Sequence, residues 1–378
     1  MHTVSRDFIA LTEAPIGQSA PSVMSKDFEF ALMIAARCCE ESPESALPLV
    51  AFRQIYSEFL STDLHERLQE FHDAVSVPIP RIDAIETTQS LLAACIDVDI
   101  IIPVHNGVHH LKACLDSVRL GSSGRRGNII LVDDASDATT QHFVKSFCND
   151  VPQSVLVRTD ESVGFTQAVS LGVAKSSSPY FVALNSDTIV LDGWLEKLFV
   201  ALNSAPNVAI VGPVSNSAAW QNVADPVDEG GNFIGHPMPD HHDCADMQVA
   251  ATSASCGAPE TPLVHGFCAL LDRTAYDHAG QLDVVSFPRG YGEFQDLCVR
   301  LYDAGYRSKI ANDCFVAHVG GASLSSNQRS DLSKLARRKL YDKHTALRYL
   351  TFEAASIYSI PMASWRARCK LLQLQAVS

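Results

Sequence analysis

The chain lacks segments of the kind that cross membranes or direct secretion. No apolar run approaches the ~20 residues that a bilayer-spanning helix needs. The amino-terminal end has no basic stretch followed by an apolar core. These absences predict a protein of the cytoplasm that is soluble, or at most peripheral at the inner face of the membrane.

Basic residues and paired cysteines are also scarce. The 29 Lys and Arg residues are outnumbered by 43 Asp and Glu residues, and the formal net charge is −14. This charge argues against general nucleic-acid binding, because neutralising phosphates requires many cationic side chains. The 11 cysteines show no zinc-type spacing, and several lie in apolar runs where a reduced thiol acts as a small hydrophobe. A reducing compartment is the simpler interpretation.

The chain has the composition of a globular protein, with 47% hydrophobic and 19% charged residues among 378. Apolar residues recur at helical spacing before residue 97, so we interpret residues 1–96 as a helical region in which we find no chemistry. Residues 97–350 are predicted to form one α/β domain, and residues 351–378 a helical tail.

Four buried strands with three intervening helices are predicted between residues 98 and 187. Short connections in such a unit indicate a parallel, right-handed, doubly wound sheet. The first strand ends in Pro103 and is followed by His105, Asn106 and a single glycine. It therefore lacks the glycine-rich phosphate turn of a nicotinamide dehydrogenase, and that class is excluded.

The second half contains a strand at 208–216 and then a stretch without periodicity at 218–262. A segment of this length is either a functional lid or disordered. Its His241-His242-Asp243-Cys244 sequence is better explained by a solvated loop than by a metal site, because no second ligand cluster completes the shell. A strand running into a helix at 262–273, a helix at 290–306, two strands and a basic helix from Arg329 are then predicted.

Asp187 lies at the polar end of the most apolar strand, in the sequence Asn185-Ser186-Asp187. Ligands of open α/β sheets bind beyond the carboxyl ends of strands, and divalent cations prefer carboxylate and phosphate oxygens. Asp187 is thus a candidate metal ligand. The alternative is a turn, or an N-cap for the helix that begins near Asp192.

Several motifs in a fixed order resemble a known family. They are IIIPVHN, LVDDASDAT, GFTQAVSLGVAKSSSPYFVALNSDTIVLDGWLEKL, GYGEFQDLCVRLYDAGYR and AHVGGAS. Together they resemble an inverting GT-A glycosyltransferase of family 2, and most of all the bacterial, rhamnosyltransferase-like branch that builds O-antigen and other surface polysaccharides. The resemblance covers residues 98–350 and implies a GT-A fold, a mostly parallel sheet flanked by helices.

The resemblance also implies ligands and residue roles. The donor is a nucleotide-diphosphate sugar, and the acceptor is a hydroxyl of a glycan or lipid-linked molecule. The donor-binding candidates by matched position are Pro103, Asn106, Asp133, Asp134, Gly164, Asn185 and Asp187. Asp187, in a variant DxD motif, and His318 are the candidate ligands of Mn²⁺ or Mg²⁺. A histidine hydrogen-bonded at a strand end is the alternative for His318.

The position of the general base is where the sequence departs from the family. The family commonly reads Gly-Tyr-Gly-Glu-Glu-Asn-Asp, and the second Glu, the usual base, is replaced by Phe294. Either Glu293 or Asp296 supplies the base, or catalysis is impaired and the domain binds nucleotide sugars or glycans as a scaffold. Acids in the first turn of a helix are also favoured by its dipole alone. Ser162 replaces the family's Asn before the Gly-Phe pair.

The carboxyl-terminal basic residues suggest one further partner. They are a candidate contact for anionic lipid head groups, with a solvated helix as the alternative. The 218–262 segment is expected to close over donor and acceptor.

Overall fold

The computed structural model describes residues 97–121, 127–228, 232–239, 241–255, 257–320 and 326–376. The predicted helical region at 1–96 lies outside these residues. The chain divides into two compact units, Met1–Asp83 with Tyr358–Ala363 and Ala84–Ile357 with Ser364–Ser378. Residues 358–363 are the described part of the first unit, and the sheet and the candidate site both belong to the second.

Strands and helices alternate through the first half of the described chain, as predicted. The strands are β1 (Val98–Val104), β2 (Ile129–Asp134), β3 (Ser154–Thr159), β4 (Tyr180–Leu184), β5 (Thr188–Val190), β6 (Val208–Val214), β7 (Cys268–Asp272) and β8 (Arg307–His318). The helices are α1 (Val108–Gly121), α2 (Ala138–Asp150), α3 (Phe165–Lys175), α4 (Trp194–Leu202), α5 (His241–Ala254), α6 (Arg273–His278), α7 (Glu293–Asp303), α8 (Ser326–His344), α9 (Ala346–Ile357) and α10 (Ile360–Ala376), with a 3₁₀ turn at Ala219–Gln221.

Within the described residues the strands form one mixed sheet in the order β3-β2-β1-β4-β7-β6-β8-β5. The pairs β2–β3, β1–β2 and β1–β4 are parallel, which confirms the predicted doubly wound unit. β7 is antiparallel to both β4 and β6, and β8 runs parallel to β6. All seven residues of β1 are buried, as expected of a strand covered on both faces.

Pro103 lies inside β1, which continues to Val104. The expectation that it would end the ladder is therefore wrong. β1 pairs with β4 only as far as Ile101, whereas Pro103 still faces Val132 of β2. With pairing on one side only, the missing N–H of a proline is tolerated.

β8 is one strand of 12 residues where two were predicted. Its first half pairs with β6, whose register shifts after Pro213, and its last residues pair with β5. A single strand that changes partner midway has two apolar stretches separated by polar residues. This pattern explains why it was interpreted as two strands.

The 218–262 segment contains regular structure, so its interpretation as a structureless loop is wrong. Helix α5 begins at His241, and the described side chains that it buries are small: Cys244, Ala250, Ala251 and Ala254. Two hydrogen bonds from α10 hold this helix in place. The Trp365 indole donates to the Ala251 carbonyl at 3.2 Å, and the Arg368 guanidinium donates to the Ala254 carbonyl at 2.8 Å. Closure of the segment over a ligand stays a prediction.

The predicted basic helix is α8, and much of its charge is used within the protein. Arg337 pairs with Glu353 of α9, and Lys343 lies 2.8 Å from Asp283. None of the helices within the described ranges is both long and apolar enough to span a bilayer. Contact of the basic residues with a membrane stays a prediction.

Candidate active site

Asp187 and His318 are brought together by the pairing of β5 with β8. Thr188 is the register partner of His318, and the Val319 amide donates to the Asp187 carbonyl at 3.0 Å. The Asp187 Oδ1 atom lies 3.4 Å from His318 Nε2. Two residues 131 positions apart in the chain therefore share one place at the edge of the sheet, as the resemblance implied.

Hydrogen bonds fix which nitrogen of His318 faces Asp187. The ring Nδ1 lies 2.6 Å from the Ser217 carbonyl, which can only accept, so Nδ1 carries the proton. The Nε2 lone pair then points to Asp187 and to the Asn185 amide nitrogen at 3.2 Å. Asn216 holds the backbone, since its Oδ1 accepts from the His318 amide and its Nδ2 donates to the His318 carbonyl, both at 2.8 Å.

These groups suit a divalent cation. A carboxylate and an imidazole lone pair face each other, and the Asn185 Oδ1 atom beside them is buried without a hydrogen-bond partner among the described residues. No cluster of three or more His, Cys, Asp or Glu ligands occurs within the described ranges. The carboxylate, imidazole nitrogen and amide oxygen are ligand types that Mn²⁺ or Mg²⁺ accepts, and water and phosphate oxygens would complete the shell.

Glu293 and Asp296 have different surroundings although both lie in the first turn of α7. Glu293 is 5% exposed, and its Oε2 accepts from the Gly292 amide at 2.9 Å. Burial raises the pKa of Glu293 despite this hydrogen bond, and the nearby Asp296 charge raises it further. A carboxylate with a raised pKa is suited to take a proton.

Asp296 is fully buried and surrounded by cations. Its carboxylate lies 2.9 Å from Arg300, 2.8 Å from Lys343 and 2.7 Å from His344. Burial acts to raise the pKa of Asp296, but the hydrogen bond from His344 and the charges of Arg300 and Lys343 outweigh it, so the pKa lies below its usual value. The structure thus ties Asp296 to α8 and separates the two acids that the sequence left as equals.

Tyr291 lies near both Glu293 and Asp187. Its pKa is raised by burial and by the charges of Glu293 and Asp187, while Arg329 acts in the opposite direction. The phenol therefore lies within electrostatic range of both acids. Its φ of 70° is in the left-handed region, which non-glycine residues rarely adopt. Strained residues of this kind concentrate at functional sites.

Phe294 is a core residue. It is 1% exposed and packs on the backbone of Gly266, where an added Cβ would lie 2.3 Å from the ring. The glycine leaves room for the phenyl ring at this position. The packing therefore accommodates a phenylalanine at the position where the family that the sequence resembles commonly has its base.

Asp133 at the end of β2 is held by the protein. Its carboxylate forms an ion pair with Arg158 and accepts from the Ser136 amide at 2.9 Å. Next to it, Asn106 has a φ of 59°, and its side chain accepts from the Asp137 amide at 2.8 Å. Among Pro103, Asn106 and Asp133, Asn106 is the exposed residue. Donor contacts by Pro103, Asn106 and Asp133 stay predictions.

Asp134 organises the turn that begins α3. It accepts from the amides of Val163 at 2.6 Å and Gly164 at 3.0 Å and from the Ser162 hydroxyl at 2.9 Å. Ser162 therefore supplies a hydrogen bond at the position where the family often has Asn. Gly164 has a φ of 88°, and a Cβ there would lie 2.4 Å from the Pro288 carbonyl. The turn and the segment leading to Tyr291 are thus in direct contact.

The sequence analysis missed several residues at this site. Aromatic rings pack around His318. The Phe267 ring stacks on the His318 ring with their centroids 4.9 Å apart, and the centroid of the His265 ring lies 6.3 Å from those of both His318 and Trp220. Tyr291 and Asn216 were also missed. Tyr291 lies inside one of the quoted motifs, and no sequence signal marked the others.

Known proteins resemble parts of this chain. The model of the family described as glycosyl transferase family 2 matches residues 99–279. A pre-mycofactocin glycosyltransferase of Mycobacterium tuberculosis is 28% identical over 229 residues, which are 59% of this chain and 42% of that protein. A putative polypeptide N-acetylgalactosaminyltransferase of Drosophila melanogaster is 26% identical, over 51% of this chain and 30% of its own length. The chain spans less than half the length of these curated relatives.

A solved mannosyltransferase of Pyrobaculum calidifontis, in complex with GDP-Man and Mn²⁺, aligns with a TM-score of 0.49 and 14% identity over 74% of each chain. GalNAc-T7 with UDP, GalNAc and Mn²⁺ aligns with a TM-score of 0.48 and 16% identity, over 66% of this chain and 49% of its own. Sheet order and family match agree with the fold that the motifs implied. Residues 99–279 match the glycosyl transferase family 2 model, and the fold is GT-A.

Proposed function

We propose that the chain is a metal-dependent, inverting glycosyltransferase. It moves a hexose or deoxyhexose such as rhamnose from a nucleotide-diphosphate sugar to a hydroxyl of a glycan or lipid-linked acceptor. The observation that carries this proposal is the pairing of Asp187 with the His318 Nε2 lone pair at 3.4 Å, next to the buried Asn185 oxygen. The match to the glycosyl transferase family 2 model supports it.

Asp187 and His318 would hold Mn²⁺ or Mg²⁺ together with the phosphates of the donor. When bound, such a cation offsets the negative charge that develops on the departing diphosphate. Ser217 and Asn216 fix the His318 ring and backbone for this purpose. Outer contacts of this kind orient a ligand and set its tautomer.

Glu293 is the general base in this proposal. Its carboxylate takes the proton of the acceptor hydroxyl while the hydroxyl oxygen bonds to the anomeric carbon and the bond to the diphosphate breaks. One displacement on the face opposite the leaving group inverts the anomeric configuration. Asp296 is a weaker candidate for the same role, because Arg300, Lys343 and His344 occupy its oxygens.

The acceptor class and the location are proposed from the resemblance. We place the reaction in surface polysaccharide synthesis, in the cytoplasm, at the inner face of the membrane. Among the described basic residues of α8, Lys334 and Arg338 are exposed, and we assign to them any contact with anionic head groups.

The test combines binding with turnover. Thermal unfolding is measured with MnCl₂ and a panel of nucleotide sugars, and release of nucleoside diphosphate is measured for wild type, Asp187→Asn, Glu293→Gln and Asp296→Asn. We expect Mn²⁺-dependent stabilisation to be lost in D187N. We expect E293Q to bind the donor but to release at least ~100-fold less nucleotide. Absence of any Mn²⁺-dependent stabilisation of the wild type would refute the proposal.

A second candidate function is a GT-A domain that binds nucleotide sugars or glycans without turning them over. Phe294, buried at the position of the usual base, is the observation that favours it. In that case the wild type binds donors with Mn²⁺, and E293Q and wild type release nucleotide at the same background rate. The anomeric configuration of any product, read by NMR, separates inversion from retention.

A further inference from the structure

His265 precedes β7 and has a defined tautomer. Its Nδ1 accepts a hydrogen bond from the Phe267 amide at 3.2 Å, so this nitrogen carries a lone pair. The ring proton must then lie on Nε2, which acts as a donor. Burial and the neighbouring His318 lower the pKa of His265 to about 3, consistent with an uncharged ring.

The position of His265 is fixed from two sides. The Phe267 carbonyl accepts from the Asn185 amide at 2.8 Å, which places the turn beside the Asn185–Asp187 segment. On the other side, Gly266 packs against Phe294 of α7, in the turn that carries Glu293. The turn that carries His265 therefore contacts both the Asn185–Asp187 segment and the first turn of α7, where Glu293 lies.

In the proposed function, the transferred sugar has to lie between the Asp187–His318 site and Glu293. Its diphosphate is held at Asp187 and His318, and its anomeric carbon must face the acceptor hydroxyl that Glu293 deprotonates. A polar side chain on the turn that contacts both sites is placed to adjoin the sugar ring. The Trp220 indole, 6.3 Å from the His265 ring, donates its own N–H to the Leu263 carbonyl at 2.8 Å. It is therefore not a second donor for the sugar.

We infer that the Nε2–H of His265 donates a hydrogen bond to an oxygen of the transferred sugar, which makes His265 a specificity-determining residue. This inference rests on the proposed function. An uncharged donor suits a hydroxyl, because it selects by position without adding charge beside the cation site. A site built around such a donor discriminates strongly against sugars that lack the matching oxygen.

The test separates the sugar from the diphosphate. Wild type is titrated calorimetrically, in MnCl₂, with UDP and UDP-N-acetylglucosamine, GDP and GDP-mannose, and dTDP and dTDP-rhamnose. The pair that binds most tightly is then used with His265→Phe, which keeps a ring without N–H groups, and with His265→Gln, which keeps an N–H donor. His278→Phe is the matched control, because the His278 ring also contacts an aromatic ring and a hydroxyl, those of Tyr306.

We expect H265F to bind the nucleotide sugar about tenfold more weakly, the effect of one neutral hydrogen bond, with the affinity for the nucleoside diphosphate unchanged. H265Q should recover most of the loss, and H278F should match wild type. Equal weakening of sugar and diphosphate binding, or none of either, would overturn the inference. Failure of the wild type to bind any of the six would instead count against the proposed function.

A second measurement does not depend on folding of H265F. The imidazole nitrogens of ¹⁵N-histidine-labelled wild type are followed by NMR, with the His265 signals assigned from their absence in H265Q. Its Nε2 signal should shift on addition of the nucleotide sugar beyond the shift caused by the diphosphate. An identical response to both ligands would rule out contact with the sugar.

Discussion

Asp296 offers the sharpest test of how α7 is held in place. Its side chain is fully buried, and its carboxylate contacts three cationic or ionisable groups, Arg300, Lys343 and His344, at 2.7 to 2.9 Å. Asp296→Ala removes the negative charge and leaves these groups in place. The expected loss of stability is about 3–5 kcal/mol, the effect of breaking a buried ion pair by deleting one partner.

The same helix provides a matched control. Asp303 pairs with Arg348, but the two side chains are 48% and 40% exposed. Asp303→Ala therefore removes a solvent-screened pair, for which the expected cost is about 1 kcal/mol or less. The predicted difference corresponds to a fall in Tm of about 10 °C for D296A against about 2 °C for D303A.

Thermal and urea unfolding of wild type, D296A and D303A, run side by side, measure this difference. The pKa of Asp296 lies below its ordinary value of 3.8, so its stabilising effect is present at neutral pH and is lost as pH falls through the folded-state pKa. The gap between wild type and D296A should therefore narrow below pH 3.8. Equal destabilisation by D296A and D303A at pH 7 would refute this account of the cluster.

Three further substitutions test the site. Gly164→Ala should cost at least ~2 kcal/mol in urea unfolding, because its φ of 88° and the approach to Pro288 leave no room for a methyl group; an unchanged midpoint would contradict this. Asn216→Leu should weaken Mn²⁺ binding about tenfold in calorimetry, since His318 loses both backbone partners. Glu293→Gln should raise Tm at pH 7.5 but not below pH 4.5, because the stability that a raised pKa costs builds up from the unfolded-state pKa of 4.5 to the folded-state pKa and stays constant above it; a lower Tm at pH 7.5 would argue against it.

Strands β1, β2 and β4 were predictable because of how they are buried. Parallel strands covered on both faces are continuous apolar runs, and their ends are marked by the first polar residues. Asp133, Asp134 and Asn185 were located in this way. The neighbours of Asp134 could not be predicted, since its hydrogen bonds reach the 162–164 turn, about 30 residues away.

Helix α5 shows the opposite case. Its described buried residues are alanines and one cysteine, which give almost no hydrophobic periodicity. It is held instead by residues far along the chain, including Trp365 and the strand β8, where its Gln248 donates to the Asp313 carbonyl at 2.6 Å. A helix stabilised mainly by tertiary contacts leaves little local signal.

The choice between Glu293 and Asp296 lay beyond the sequence for a geometric reason. Residues three apart lie on neighbouring faces of a helix, so neither acid could be preferred as the base from its position in the sequence. The position of α8 decides between them, because Lys343 and His344 reach Asp296 and leave Glu293 on the side of Tyr291. The sequence feature that bore on this choice was Phe294, which stands where the family commonly has its base. In the structure its ring packs against Gly266. The Phe294 ring fits at this place only because Gly266 has no side chain. This packing explains how a phenylalanine is held in the first turn of α7, and the role of Glu293 as the base stays a prediction.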